Sequence, residues 1–417
     1  MKKMQKQLSL IVVICFLCGC LTSCGKNPKK QTGIPSGEQS SNGILSDISA
    51  PEGEGVIFKD GNTYTEEYVI YTPEGSSRPK YIFDVKTGQS IPYCFDTACE
   101  HKHEKRSADG NEILEEGCPA YDYTDASVYI FDDSLWFFSE QCLYQADVTG
   151  LNRKEVTRLS KPYFCNNTYS YYTDEALYLT YSLPFELIEK EGNGKTEWLA
   201  GGYREKPEVG VLRIPYSGEG EEVIYSSDEF YQMNAVELWY HDGCISFQIL
   251  GSDRPPGKVD YSASQEDIMA QIEEERKHTY VEAFDYVIAT DEVKSYAYQK
   301  PYRGIYFFRS AYGLIQEGNQ LELYRYSGEK IAITDEQFSG VYSDRYIIGY
   351  NMENTKGVLR NQDDGKVVKT SPFTWEDFLL EVVVGESYYG RKDGQRAYIS
   401  ASDYWNGNMD GIILFQE

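Results

Sequence analysis

Histidine is scarce in this chain: four in 417 residues. Neither HExxH nor GxSxG occurs, which removes the helical zinc-protease pair and the serine nucleophile elbow. The short string GKT at Gly194–Thr196 would need an earlier glycine at position 189, but Glu189 stands there, so no phosphate loop is present. General acid–base chemistry would have to draw on carboxylates, and among 66 acidic residues no pair stands out. Basic residues are few, 40 Lys and Arg, and the formal net charge is -26. A surface this acidic repels DNA, RNA and anionic lipid, so nucleic acid is excluded as a partner. Solubility is the plain reading of that charge, with neutral, cationic and metal ligands left open. Beyond the first two dozen residues, no apolar run is long enough to span a bilayer.

What is there begins at the N-terminus. Lys2, Lys3 and Lys6 precede the apolar run Leu8 to Leu17, LSLIVVICFL. Such a run is too short for a mature membrane helix and right for a signal-peptide core. The following LTSC, Leu21 to Cys24, has the apolar–small–small–cysteine order that bacterial lipid attachment uses. Cys20, in LCGC, is the alternative acceptor, and a plain secretory signal with a free thiol is the simpler reading. Residues 1–23 are thus expected to be a lipoprotein signal peptide. Residues 24–55, rich in Gly, Ser, Pro and charge, read as a disordered tether that cannot bury enough surface to fold. The body, 56–417, is then placed on the extracytoplasmic face of the bacterial cell membrane, with the membrane itself a partner through the acyl chains.

The body reads as short strands and tight turns. Aromatics reach 14%, with 37 Tyr, as suits strand packing. Turns with Asp or Ser before Gly recur: Asp84 to Gly88, Asp147 to Gly150, Ser217-Gly218, Ser327-Gly328 and Asp364-Gly365. Seven strand-rich units begin near residues 56, 127, 166, 233, 304, 338 and 378. This spacing predicts an all-β chain folded as a β-propeller of seven blades, with six or eight as neighbouring counts and a β-sandwich as the other architecture. Pro184 to Pro207 reads as a long surface loop. Ser262 to His278 reads as a helical insertion, capped by Ser264, with Ile268 and Ile272 on its inner face and His278 as an end charge.

One span carries most of the chemistry. Cys94, Cys99, His101 and Cys118 lie within 25 residues. Three sulfurs and an imidazole are the ligand set of a tetrahedral structural zinc, with His103 able to replace His101. Export favours a disulfide instead, which would leave one thiol over, and a reduced cluster is the third state. Each reading makes a staple rather than a catalytic centre. Cys142, Cys165 and Cys244 sit in strand patterns and read as small buried side chains, with a Cys142–Cys165 bridge open. A weaker candidate is NGNMDGIILFQE, where Asn406, Asn408, Asp410 and Glu417 fall at calcium-loop positions. Its first ligand lacks charge and its flanks read as strands, so a hairpin turn is preferred there. His241, in HDG, reads as a hairpin tip.

The units LYQADVTGLNRKEVTRL, LYRYSG and VLRIPYSG resemble those of propeller lipoproteins from Gram-positive gut bacteria, related to TolB-like propellers. Cys94, Cys99, His101, Cys118 and Ala120 match that family's C…C-x-H…C-x-A order, although Phe95 to Ala98 lacks the proline usual there. The likeness spans most of the chain after the signal. It implies a lipid anchor, a propeller and surface exposure, and it implies no activity. The expectation for function is a non-enzymatic module that binds a protein, peptide or glycan at one mouth of the central channel. The alternatives are a carbohydrate-directed hydrolase or lyase with channel-facing carboxylates, and a scaffold within an envelope complex.

Overall fold

The computed structural model describes residues 55–415 apart from 74–78, 96–97, 103–104, 107–112, 116, 122–125, 193–194, 256, 258–259, 261, 317–319, 335–336, 339–340 and 352–354. The signal peptide with Cys20 and Cys24, most of the tether, His103 and Glu417 lie outside the described residues. Inside them, seven blade sheets follow one another along the chain, antiparallel except where Tyr342–Ser343 joins the seventh in parallel. Their first strands begin at Ile57, Val128, Phe164, Tyr231, Ile305, Gln337 and, for the seventh blade, Leu379. Each lies within two residues of the expected unit start. The fold is a seven-bladed β-propeller, and the two-layer sandwich is excluded.

Burial explains why this sequence makes blades. Strands in the middle of a blade are covered on both faces by neighbouring blades, so they read as continuous apolar runs rather than alternating ones. All four residues of Tyr68–Tyr71 are buried, whereas outer strands such as Lys154–Arg158 are largely exposed. The expected turns form as read. Gly88 and Gly150 take φ of 67° and 75°, which glycine adopts without a Cβ clash. Asp84 Oδ1 accepts from the backbone N–H of Lys86 at 2.8 Å, and Asp147 Oδ1 from that of Leu151 at 3.0 Å.

Ring closure is made by side chains. Ser387 Oγ and Tyr389 OH of blade 7 donate to the backbone carbonyls of Glu66 and Thr65 in blade 1, at 2.6 and 2.7 Å. Phe415 stacks on Phe83, with ring centroids 4.2 Å apart. The first strand, Ile57–Lys59, forms a hairpin with Asn62–Tyr64 and runs into the axis. Phe58 packs its ring on Tyr129 of blade 2 and on Tyr171 and Tyr172 of blade 3, while the Lys59 ammonium sits 5.0 Å from the ring of Tyr342, on a segment paired with blade 7. The chain's own first strand therefore fills part of the central channel.

Three expectations need correcting. Residues 184–207 are no loop: the second and third strands of blade 3, Ala176–Gly192 and Lys195–Pro215, run on as one long hairpin arm in antiparallel register. The backbone satisfies itself through cross-strand pairing, so polar side chains there do not force irregular structure. Beside the expected helix α1, Gln265–Arg276, capped by Ser264 and burying Ile272, a second helix α2 spans Ala401–Asn406. Its start is a reciprocal cap: the Asp403 N–H donates to Ser400 Oγ at 3.0 Å, and Ser400 Oγ bonds Asp403 Oδ2 at 2.8 Å. The S-x-x-D spacing was the available signal. Helix α2 also displaces the hairpin expected around the calcium motif. Asn406 ends the helix, Asn408 donates its amide to Asp403 Oδ1 at 2.7 Å, and Asp410 lies in a following 3₁₀ turn. These side chains are exposed and two of the positions are spent on helix termination.

Candidate functional sites

The crossover from blade 1 to blade 2, residues 93–127, brings the four cluster residues together. Their ligand atoms all lie within 4.8 Å of one another. The backbone builds this cage from two arms. Tyr93 N–H donates to the Lys80 carbonyl at 2.7 Å, and Lys80 N–H to the Ala120 carbonyl at 3.0 Å, so Lys80, just ahead of the strand Tyr81–Asp84, ties both arms. Cys118 N–H donates to the Lys102 carbonyl at 2.8 Å, closing the arms on each other. Cys94 and Cys118 are buried among Tyr68, Ile70 and Ile82 of blade 1 and Val128, Leu135 and Phe137 of blade 2. Cys99 and His101 lie toward the surface.

His101 is the strained member. Its φ is 51°, a left-handed value uncommon for a residue with a Cβ. That conformation turns its N–H onto Cys99 Sγ at 3.4 Å and leaves Nδ1 3.6 Å from Cys118 Sγ. Tyr121 OH donates to the His101 carbonyl at 3.4 Å. The Cys94 thiol, followed by burial, pushes the Cys118 thiol far up, and burial raises Cys99 as well. Gathered thiols with no cation between them resist ionisation. The six described cysteines from Cys94 to Cys244 carry no disulfide, so Cys142 and Cys165 are not bridged.

A second polar centre sits on the axis, and nothing in the sequence marked it. Glu237 lies on the inner strand of blade 4, at a bulge between Val236 and Leu238, with φ of 53°. Its Oε2 accepts from Gln248 Nε2 at 2.8 Å and its Oε1 from Tyr342 OH at 3.3 Å. Burial pushes its carboxyl up to about 7, with nearby Asp60 adding to the rise and Lys59 opposing it. Glu237, Trp239, Tyr306, Phe308 and Tyr342 line a cavity of about 10 Å³, room for one water. Blade 4 reaches past blade 5 to Tyr342 here, which is only feasible across the centre of a ring.

His241 is not a tip. It ends the inner strand Tyr231–His241, is buried, and stacks on Tyr326 with centroids 3.5 Å apart. Ser246 Oγ and Asp285 Oδ1 stand 2.9 and 3.2 Å from the same ring nitrogen, Nε2, and Ser246 Oγ donates to Asp285 at 2.5 Å. In a nucleophilic triad the serine and the carboxylate occupy opposite ring nitrogens and the serine is reachable. Here Ser246 is fully buried and its proton goes to the carboxylate, so the trio is a strut between strands. His278, by contrast, behaves as expected: Nδ1 pairs with Asp253 at 2.8 Å at the end of α1.

The arm of blade 3 and the adjoining start of its first strand, Phe164–Tyr172, carry exposed apolar side chains. Tyr203 is 82% exposed and Phe164 55%, with Ile188 and Leu199 also open to solvent. Phe185 links them, 5.7 Å from Phe164 and 4.4 Å from Tyr203 between ring centroids.

No protein-family model matches this chain, and no curated protein does. Among solved structures it is similar to an oligogalacturonate lyase from Vibrio parahaemolyticus, at 11% identity and a TM-score of 0.42, over 83% of this chain and 85% of that one. It is similar to BamB from Moraxella catarrhalis at 9% identity and a TM-score of 0.34, over 88% and 92%. Dipeptidyl peptidase 4 from Porphyromonas gingivalis gives 8% and 0.41, over 86% and 51%. At these values each protein's activity stays its own.

Proposed function

We propose that this chain is a lipoprotein held to the extracytoplasmic face of a bacterial membrane through Cys24, with Cys20 as the alternative acceptor. Its propeller serves as a non-catalytic module that binds a protein, peptide or glycan. The observation that carries the binding half is the distribution of space and apolar surface. The cavity beside Glu237, walled by Trp239, Tyr306, Phe308 and Tyr342, admits about one water, too little for a sugar or peptide. Exposed aromatics gather instead at the base of the arm, where Phe164 of the first strand and Tyr203 of the arm are joined by the half-buried Phe185, and surface of that kind marks recognition. The anchoring half rests on the sequence of residues 1–24. A palmitate label that follows the wild-type chain and is lost in Cys24→Ala supports it; equal labelling of both chains refutes it. A thermal-shift screen against glycans and peptides tests the binding. A ligand that stabilises the wild-type chain and no longer stabilises Tyr203→Ser supports it; stabilisation that survives Tyr203→Ser and Phe164→Ser removes the arm from the reading.

One observation favours a second reading, a carbohydrate-directed hydrolase or lyase. Glu237 is an axial carboxyl poised at about 7, where a general acid or base works best. It requires the Ile57–Lys59 strand to leave the axis. Turnover of an oligosaccharide that disappears in Glu237→Gln would establish it.

A further inference from the structure

We propose that Cys94, Cys99, His101 and Cys118 form a closed structural zinc site that clamps the crossover between blades 1 and 2. Tetrahedral bonds of about 2.3 Å to sulfur and 2.0–2.1 Å to nitrogen place ligand atoms about 3.6–3.8 Å apart. His101 Nδ1 and Cys118 Sγ stand at 3.6 Å, and no pair of the four exceeds 4.8 Å. A disulfide needs two sulfurs and has no use for an imidazole. It would leave a third thiol and a strained histidine facing it. Four donors from three thiols and one ring are the set a soft, four-coordinate ion takes, and hard ions such as calcium or magnesium prefer oxygen.

The surroundings fit a metal thiolate centre. The N–H of His101 aims at Cys99 Sγ, the type of outer hydrogen bond that orients a ligand and lowers its charge. Binding requires three thiols to release their protons to solvent, while the imidazole binds as the neutral ring. The resulting centre carries one net negative charge. Arg153 lies near enough to answer it: half-buried, its guanidinium sits over the Phe137 ring at 5.7 Å, and Phe137 packs in the same core cluster as Cys94 and Cys118. With four protein ligands no coordination position remains for substrate, so the ion staples and does not catalyse. What it staples is a long polar excursion whose two arms meet through the Cys118 N–H to Lys102 carbonyl bond and the short antiparallel pair of Lys105–Arg106 with Ile113–Glu115.

The test uses the full chain, exported and purified without reductant or chelator. One zinc per chain is expected by elemental mass spectrometry. Anaerobic exchange with Co²⁺ should give the intense visible bands of a tetrahedral site together with thiolate charge transfer. His101→Cys should keep the ion, and Cys244→Ser, remote from the cage, should leave the stoichiometry at one. Cys118→Ser should lose at least ninety per cent of the metal. Chelation should lower the melting temperature by roughly 5–10 °C and render three further thiols alkylatable. If Cys118→Ser does not fold, the cobalt spectrum of the wild-type chain decides alone. Absence of metal, with peptide maps joining two of Cys94, Cys99 and Cys118 as a disulfide, overturns the proposal. An octahedral cobalt spectrum overturns it equally.

Discussion

The crossover cluster and the axis at Glu237 are both partly buried polar centres, and they are assembled in opposite ways. The cluster draws all its chemistry from one span, 94 to 118, and two short backbone arms suffice to bring it together. The axial centre draws on Lys59, Glu237, Gln248 and Tyr342, which meet only when the ring has closed. Local spacing is therefore informative about the first and silent about the second. The Cys94 thiol and burial raise the Cys118 thiol, whereas Glu237 accepts from two donors.

The contrast can be broken at several points. Truncating the axial plug is expected to cost most. Phe58→Ala removes a ring packed on Tyr129, Tyr171 and Tyr172, and should destabilise by about 3–5 kcal/mol in chemical denaturation. A loss under 1 kcal/mol would mean that the first strand does not occupy the axis.

Glu237→Gln comes next, with a definite sign. The folded carboxyl sits near 7, above its ordinary value of 4.5, so the folded state holds its proton more tightly than the unfolded one. Its contribution is favourable below pH 4.5 and declines as the pH rises through 7. Glutamine escapes that decline. The variant should gain on the wild type by up to about 3 kcal/mol between pH 4.5 and 8, read from melting curves at both pH values. A difference independent of pH would show that Glu237 titrates normally.

Removing a cap is smaller. Ser400→Ala should cost about 1 kcal/mol through the lost bond to Asp403 N–H, checked by urea titration. Least of all, Tyr203→Ser should change stability by under about 0.5 kcal/mol, because the ring is exposed. Its effect should appear in binding alone, which separates surface recognition from both buried centres.

The blade count was legible because each unit repeats a strand, an Asp- or Ser-led turn and glycine at positive φ, all local devices. The arm of blade 3 was misread, since Glu186, Glu189, Lys190 and Glu191 look like loop residues. Cross-strand pairing such as Ile188 with Leu199 and Glu189 with Trp198 overrides that composition. Helix α2 escaped notice although Ser400 and Asp403 carry a cap, because the turn residues of NGNMDG suggested a hairpin. His241 looked exposed beside Asp242-Gly243, yet it is buried by Tyr326 from the next blade, a neighbour no local window contains.

By itself the sequence determined the periodic strands, their turns and the gathering of Cys94, Cys99, His101 and Cys118, because backbone propensity and short-range closure act over a few residues. Only the tertiary structure decided that the first strand fills the axis, that Glu237 meets Tyr342, and that His241 is a strut. Those outcomes depend on which blades face one another across the ring, and burial by a distant neighbour leaves no local pattern.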